Sequence, residues 1–158
     1  MQRDQRELLL EFNSKKIRYL IIGGHAYSFY TEPRTTKDLD ILIDPSVTNT
    51  KAVYDALAAF GDPLINTTPE SLRDPRYAHQ VGMAPYRIDI LNTITAVDFD
   101  MAWNSSVDGI IDGDIPVRYI GLDALIKNKL AVGRLRDLAD VEDLRKSEAI
   151  NSKPPKKD

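Results

Sequence analysis

Residues 19 to 44, YLIIGGHAYSFYTEPRTTKDLDILID, restrict the fold more than any other part of this 158-residue chain. The run "IRYLIIGG" is rich in Ile and Tyr and stops at Gly23-Gly24, as a buried strand does. "HAYSFYTE" has the length of about two helical turns and ends at Pro33. "KDLDILID" alternates with a period of two and is closed by Pro45. Side chains at i and i+2 of a strand point the same way, so Asp38 and Asp40 share a face. Two carboxylates about 4 to 6 Å apart repel by roughly 3 to 4 kcal/mol at an effective dielectric of about 20. Water on an open face screens that cost, or a cation sits between the acids. Asp44, at the far end of the same strand, reads as surface.

The rest of the chain supplies layers around this unit. Leu8, Leu9 and Phe12 give residues 4 to 15 a helical stripe. "VTNTKAVYDALAAFG" carries Val53, Leu57 and Phe60 on one helix face, with Gly61 as its stop. Residues 62 to 78, with three prolines, read as loop. "HQVGMAPYRIDILN" reads as two short strands with a turn near Ala84-Pro85, and "IPVRYIG" as another strand. Residues 98 to 109 are ambiguous. "GLDALIKNKLAVG" predicts a helix with Leu122, Leu125, Ile126, Leu130 and Ala131 as its stripe, broken at Gly133. "RLRDLADVEDLRKSEAI" predicts a second, with Leu135, Leu138, Val141 and Leu144 at three-residue spacing. The expected class is α+β: a small mixed sheet with helices packed on it and a C-terminal helical pair, in one domain over 1–150. The polar tail 151–158 is expected to be disordered.

Composition excludes several functions. Hydrophobic residues make up 42% and charged residues 28%, ordinary for a globular protein. There is no apolar run of about 18 residues and no secretory signal pattern, so a cytoplasmic protein with no membrane partner is expected. The absence of cysteine removes disulfides, thiolate metal sites and cysteine nucleophiles. A net charge of -3 and a pI of about 5.4 argue against general nucleic-acid binding. His25 and His79 are too few for a histidine-rich metal site.

The chemistry concentrates in three places. Asp89 lies in "YRIDIL", an acid between Ile88 and Ile90. A third carboxylate on a strand neighbouring Asp38 and Asp40 would complete a hard-oxygen site for Mg2+ or Mn2+. As a solvated pair, Arg87 and Asp89 would need no ligand. Gly23-Gly24, between strand and helix, suit close approach of a phosphate, or only a tight turn. Neither a dinucleotide-binding nor a P-loop glycine pattern is present.

Together, "GGHA", "PRTTKDLDILI", "RIDIL" and "LIKNKLAVGRLRDLADVEDL" resemble the nucleotidyltransferase superfamily, with the DNA polymerase beta-like fold. Within it they are most similar to small bacterial AbiEii-type nucleotidyltransferases and uncharacterised relatives, over about residues 15 to 146. The resemblance implies that Asp38, Asp40 and Asp89 are catalytic and ligate Mg2+ or Mn2+, and that Gly23 and Gly24 cradle the triphosphate of an NTP. It places His25 where a small hydroxyl residue is expected. Arg34 and Lys37, before Asp38, are candidate nucleotide-binding cations. Lys129 and Asp137 are candidates for the rim of the site, or members of a solvated helix face with Asp140 and Arg134. Tyr27, Tyr30 and Trp103 are base-stacking or core residues. The implied activity transfers an NMP from an NTP to a hydroxyl acceptor (RNA, protein or small molecule) with release of pyrophosphate. A toxin–antitoxin role with an antitoxin partner goes with the AbiEii likeness. The alternative is a catalytically inactive nucleotide-binding or protein-interaction module of the same fold.

Overall fold

The computed structural model describes residues 1–151; the tail expected to be disordered lies almost wholly outside them. Six strands form one mixed sheet: β1 (Tyr19–Ile22), β2 (Leu39–Ile43), β3 (His79–Val81), β4 (Ile88–Leu91), β5 (Val107–Ile111) and β6 (Ile115–Tyr119), in the order β3-β4-β2-β1-β6-β5. β1 runs antiparallel to β2 and parallel to β6, and β2 runs parallel to β4. β1 and β2 are therefore interior strands. They are covered on both faces, so Leu20, Ile21, Leu39, Ile41, Leu42 and Ile43 are nearly inaccessible to solvent.

Six helices enclose the sheet: α1 (Arg3–Ser14), α2 (Gly23–Tyr30), α3 (Val47–Phe60), α4 (Phe99–Asn104), α5 (Leu122–Val132) and α6 (Leu135–Asn151). α1 buries Leu8, Leu9 and Phe12, and its Gln5 reaches from the same face to donate to the Lys37 carbonyl at 2.7 Å. Ser46 caps α3 by accepting from the Asn49 N–H, and Gly61 ends it with φ 101°. The ambiguous stretch 98–109 divides into α4, capped by Asp98, and the edge strand β5. Both pieces are too short for periodicity to separate them. Loop 62–78 is tied to β3 by His79, whose buried ring places Nε2 2.5 Å from Asp62 and Nδ1 3.0 Å from the Tyr77 hydroxyl.

Three expectations need correction. On α6, Leu135 (88% exposed) and Leu138 (45%) face out, and the inward stripe is Asp137, Asp140, Val141 and Leu144. These follow i, i+3, i+4, i+7, the true helical period; a three-residue count drifts off the face. Leu130 on α5 is likewise exposed, while Lys129 faces in. Asp44 is buried rather than surface: its carboxylate accepts from the Ser46 N–H at 2.9 Å and from Arg18 at 2.8 Å.

Candidate active site

The register of the sheet brings two of the predicted acids together. Asp40 on β2 lies directly beside Asp89 on β4, and opposite Ile22 of β1. Neighbouring positions on paired strands share a face, so the Asp40 and Asp89 carboxyls meet. Burial first, then Asp89 and more weakly Asp38, push the Asp40 carboxyl up to about 6, with Arg87 opposing. Asp38, just before β2, is the most open of the three, with 43% of its side chain exposed.

The glycines open space for this pair. Gly23 has φ +65°, and a Cβ there would stand 2.2 Å from Asp40 Oδ2. A Cβ on Gly24 would stand 2.7 Å from Thr36 Oγ1. Admitting Asp40 and Thr36 is thus a packing reason for both glycines, additional to any phosphate. Gly23→Ala is expected to displace Asp40 and cost about 1 to 3 kcal/mol. Urea unfolding checks the cost, and carboxyl NMR should show the Asp40 titration near 6 moving toward ordinary values.

Arg87 is the residue whose role the sequence left open. Its Nε donates to Asp89 Oδ1 at 3.0 Å and its Nη2 to Oδ2 at 3.5 Å. Its backbone N–H donates to Asp38 Oδ1 at 3.1 Å, and Nη2 stands 4.0 Å from Asp38 Oδ2. Among the described residues no group of three or more acids and histidines stands ready to hold a metal ion. The donor chemistry does fit one. Asp40 and Asp89 offer hard oxygens side by side, at a repulsion a divalent cation would relieve; Asp38 and Asp89 are engaged by the guanidinium.

A cleft of about 360 Å³ opens beside Asp40. Ile22, Leu91 and Ile94 form apolar wall; Asn128, Lys129 and Arg134 bring polar groups from the α5–α6 side. Lys129 is buried, with Nζ 2.8 Å from Asp140 and 3.7 Å from Asp137. Arg134 Nε donates to Asp137 at 2.7 Å and holds that carboxyl below its usual range, against its burial. Burial raises the Asp140 carboxyl, but hydrogen bonds from Arg34 and Lys129 outweigh it and keep it low. Lys129 and Asp137 therefore do reach the cleft, as part of a buried ion network rather than a solvated face.

The remaining candidates lie elsewhere. Arg34 turns to Asp140, which it grips with two nitrogens at 2.9 and 3.2 Å, and its guanidinium lies 3.8 Å from the Tyr27 ring centroid. Lys37 is exposed. His25 has a buried Nε2 with no hydrogen-bond partner among the described residues, and its pKa is lowered by burial and the Met1 ammonium, with Asp112 opposing. It thus faces the start of α1 and the β5–β6 turn. The Tyr27 hydroxyl donates to Asp143 at 3.0 Å and that of Tyr30 to the Ile120 carbonyl at 2.7 Å. Trp103 lies between Arg18 and Arg118, at 4.7 and 4.6 Å. Nothing in the sequence separated these from ligand-facing aromatics.

No helix among the described residues is long and apolar enough to cross a membrane. No protein-family model matches the sequence, and no curated protein does. Solved structures do match the fold. A lincomycin-bound lincosamide antibiotic adenylyltransferase, LnuA, aligns over 92% of this chain and 96% of its own, with a TM-score of 0.57 and 16% identity. A candidate nucleotidyltransferase from Thermotoga maritima aligns over 96% and 92%, with a TM-score of 0.55 and 14% identity. The antibiotic-resistance factor ANT(2'')-Ia aligns over 94% and 83%, with a TM-score of 0.52 and 16% identity. The chain has the α+β fold of these proteins, with a six-stranded mixed sheet and six helices.

Proposed function

We propose that the protein is a nucleotidyltransferase that moves an NMP from an NTP to a hydroxyl acceptor and releases pyrophosphate. The carrying observation is Asp40 beside Asp89, at the foot of a cleft opened by Gly23, in a fold shared with an adenylyltransferase. Asp40 and Asp89, joined by Asp38, would hold Mg2+ or Mn2+. When bound, the metal would neutralise charge on the triphosphate and leaving group. The start of α2, at Gly23, would present backbone N–H groups and the positive end of the helix to the triphosphate. Once free of Arg87, Asp89 would take the acceptor's proton, and the apolar wall of Ile22, Leu91 and Ile94 would limit water beside Asp40. Lys129 and Arg134 on the cleft wall are both paired with Asp137 or Asp140, so they would meet phosphate as members of that network.

A small hydroxylated molecule is the favoured acceptor. The lincomycin-bound neighbour supports this, and so does a cleft with as many acids as bases. RNA or protein as acceptor, the AbiEii kinship and an antitoxin partner are further arms of the same test. Pyrophosphate release is measured with each NTP, Mg2+ or Mn2+, and a panel of hydroxylated antibiotics, tRNA and protein. Release with one class identifies the acceptor. NTP binding that ignores both metal and Asp40→Asn would sink the enzyme reading. It would favour an inactive nucleotide-binding module, for which the engagement of Asp38 and Asp89 by Arg87 is the supporting observation.

A further inference from the structure

Of the three site acids, Asp40 has no arginine on it, whereas Asp89 and Asp38 are both held by Arg87. The backbone of Arg87 is fixed in place. Its N–H donates to Asp38, and its carbonyl accepts from the Leu39 N–H at 3.0 Å. The side chain is not fixed in the same way: 35% of it is exposed, so it has open solvent to move into. A guanidinium forked onto a carboxylate uses the lone pairs that a metal ion needs. The two cations therefore compete for the same oxygens.

We propose that Arg87 is a built-in counter-ion of the aspartate cluster, holding Asp89 and Asp38 until a divalent cation displaces its guanidinium. This rests on the nucleotidyltransferase reading for the identity of the metal. It accords with the absence of a ready three-ligand group among the described residues. It also assigns Arg87 a positioning role: the cluster stays ordered without metal, at the expense of metal affinity. Once displaced, the side chain remains anchored by its backbone at the edge of the site, within reach of the anion that arrives with the metal.

The test is Mn2+ binding to the full chain, followed by electron paramagnetic resonance without nucleotide and then with NTP. Arg87→Met should bind Mn2+ about tenfold tighter than wild type, the value of one partly exposed charge-assisted contact. Arg87→Lys, which keeps the charge but not the fork, should fall between them. Arg134→Met, which removes a cation of the same cleft that touches none of the three acids, should stay within about twofold of wild type in the absence of nucleotide. In wild type, the NMR signal of the Arg87 Nε–H should shift as Mg2+ saturates the protein. The counter-ion role is overturned if folded Arg87→Met binds no tighter, if Arg134→Met gains as much, or if the Arg87 signal ignores Mg2+. If wild type binds Mn2+ with NTP and still Arg87→Met gains nothing, only this inference fails. If neither protein binds Mn2+, with or without NTP, the function proposed above fails with it.

Discussion

Asp40→Asn should make the metal-free protein more stable at pH 8 while abolishing the nucleotidyl transfer proposed above. The stability gain follows from the sign of the shift. The Asp40 carboxyl is raised from 3.8 to about 6, so between these values the folded chain binds more protons than the unfolded chain. Stability then falls as pH rises through that window, and the loss persists above it. A shift of this size is worth about 3 kcal/mol, reduced to about 2 kcal/mol by solvent at a half-buried carboxyl. An asparagine does not ionise, so urea unfolding should show the variant gaining about 2 kcal/mol at pH 8 and almost nothing at pH 4. Transfer should fall at least about a thousandfold, since metal-assisted charge stabilisation supplies several kcal/mol. A variant that is both unchanged in stability at pH 8 and fully active would contradict the pairing of Asp40 with Asp89. The opposed effects are those of a site kept at the expense of stability.

Lys129→Met should have the largest effect on stability. Its ammonium sits between Asp137 and Asp140, with 11% of the side chain exposed against 5% for each acid. Removing one member of a buried ionic cluster costs about 3 to 5 kcal/mol, because the partners keep their charge without its compensation. Here Arg134 stays on Asp137 and Arg34 on Asp140, so about 2 to 3 kcal/mol is expected. Methionine keeps the length and avoids a cavity, which isolates the charge. The triple replacement of Lys129, Asp137 and Asp140 by apolar residues should recover much of the loss. A loss below about 0.5 kcal/mol in Lys129→Met, by denaturant titration, would mean that the network is solvated. Its position at the cleft wall ties stability to function: the same residues that close α5 on α6 also fix where Arg134 stands.

Much of this was legible in the sequence because it is local. The two glycines, the alternation through Asp38 and Asp40, the proline stops and the helix ends at Gly61 and Gly133 each act within a few residues. What failed was also local in origin. Counting every third residue placed Leu135 and Leu138 inside; the real period put two aspartates there, and an inward aspartate is implausible until Lys129 is known to face it. Arg34 illustrates the same limit. Its proximity to Asp38 in sequence suggested a phosphate contact, but its partner, Asp140, lies 106 positions away.

By itself, the sequence determined most of the elements and the α+β class, and it singled out three acids as candidates, because strand and helix periods and turn residues are properties of neighbouring positions. Only the tertiary structure decided what those acids do to one another. Strand register puts Asp40 against Asp89 rather than one place along, and a slip of one residue would turn either side chain to the opposite face. Packing alone showed that Gly23 must be glycine to admit Asp40, and that Arg87 rather than Arg34 or Lys37 answers the charge of the cluster. Charge interactions depend on distance and burial, and neither is written in the order of the residues.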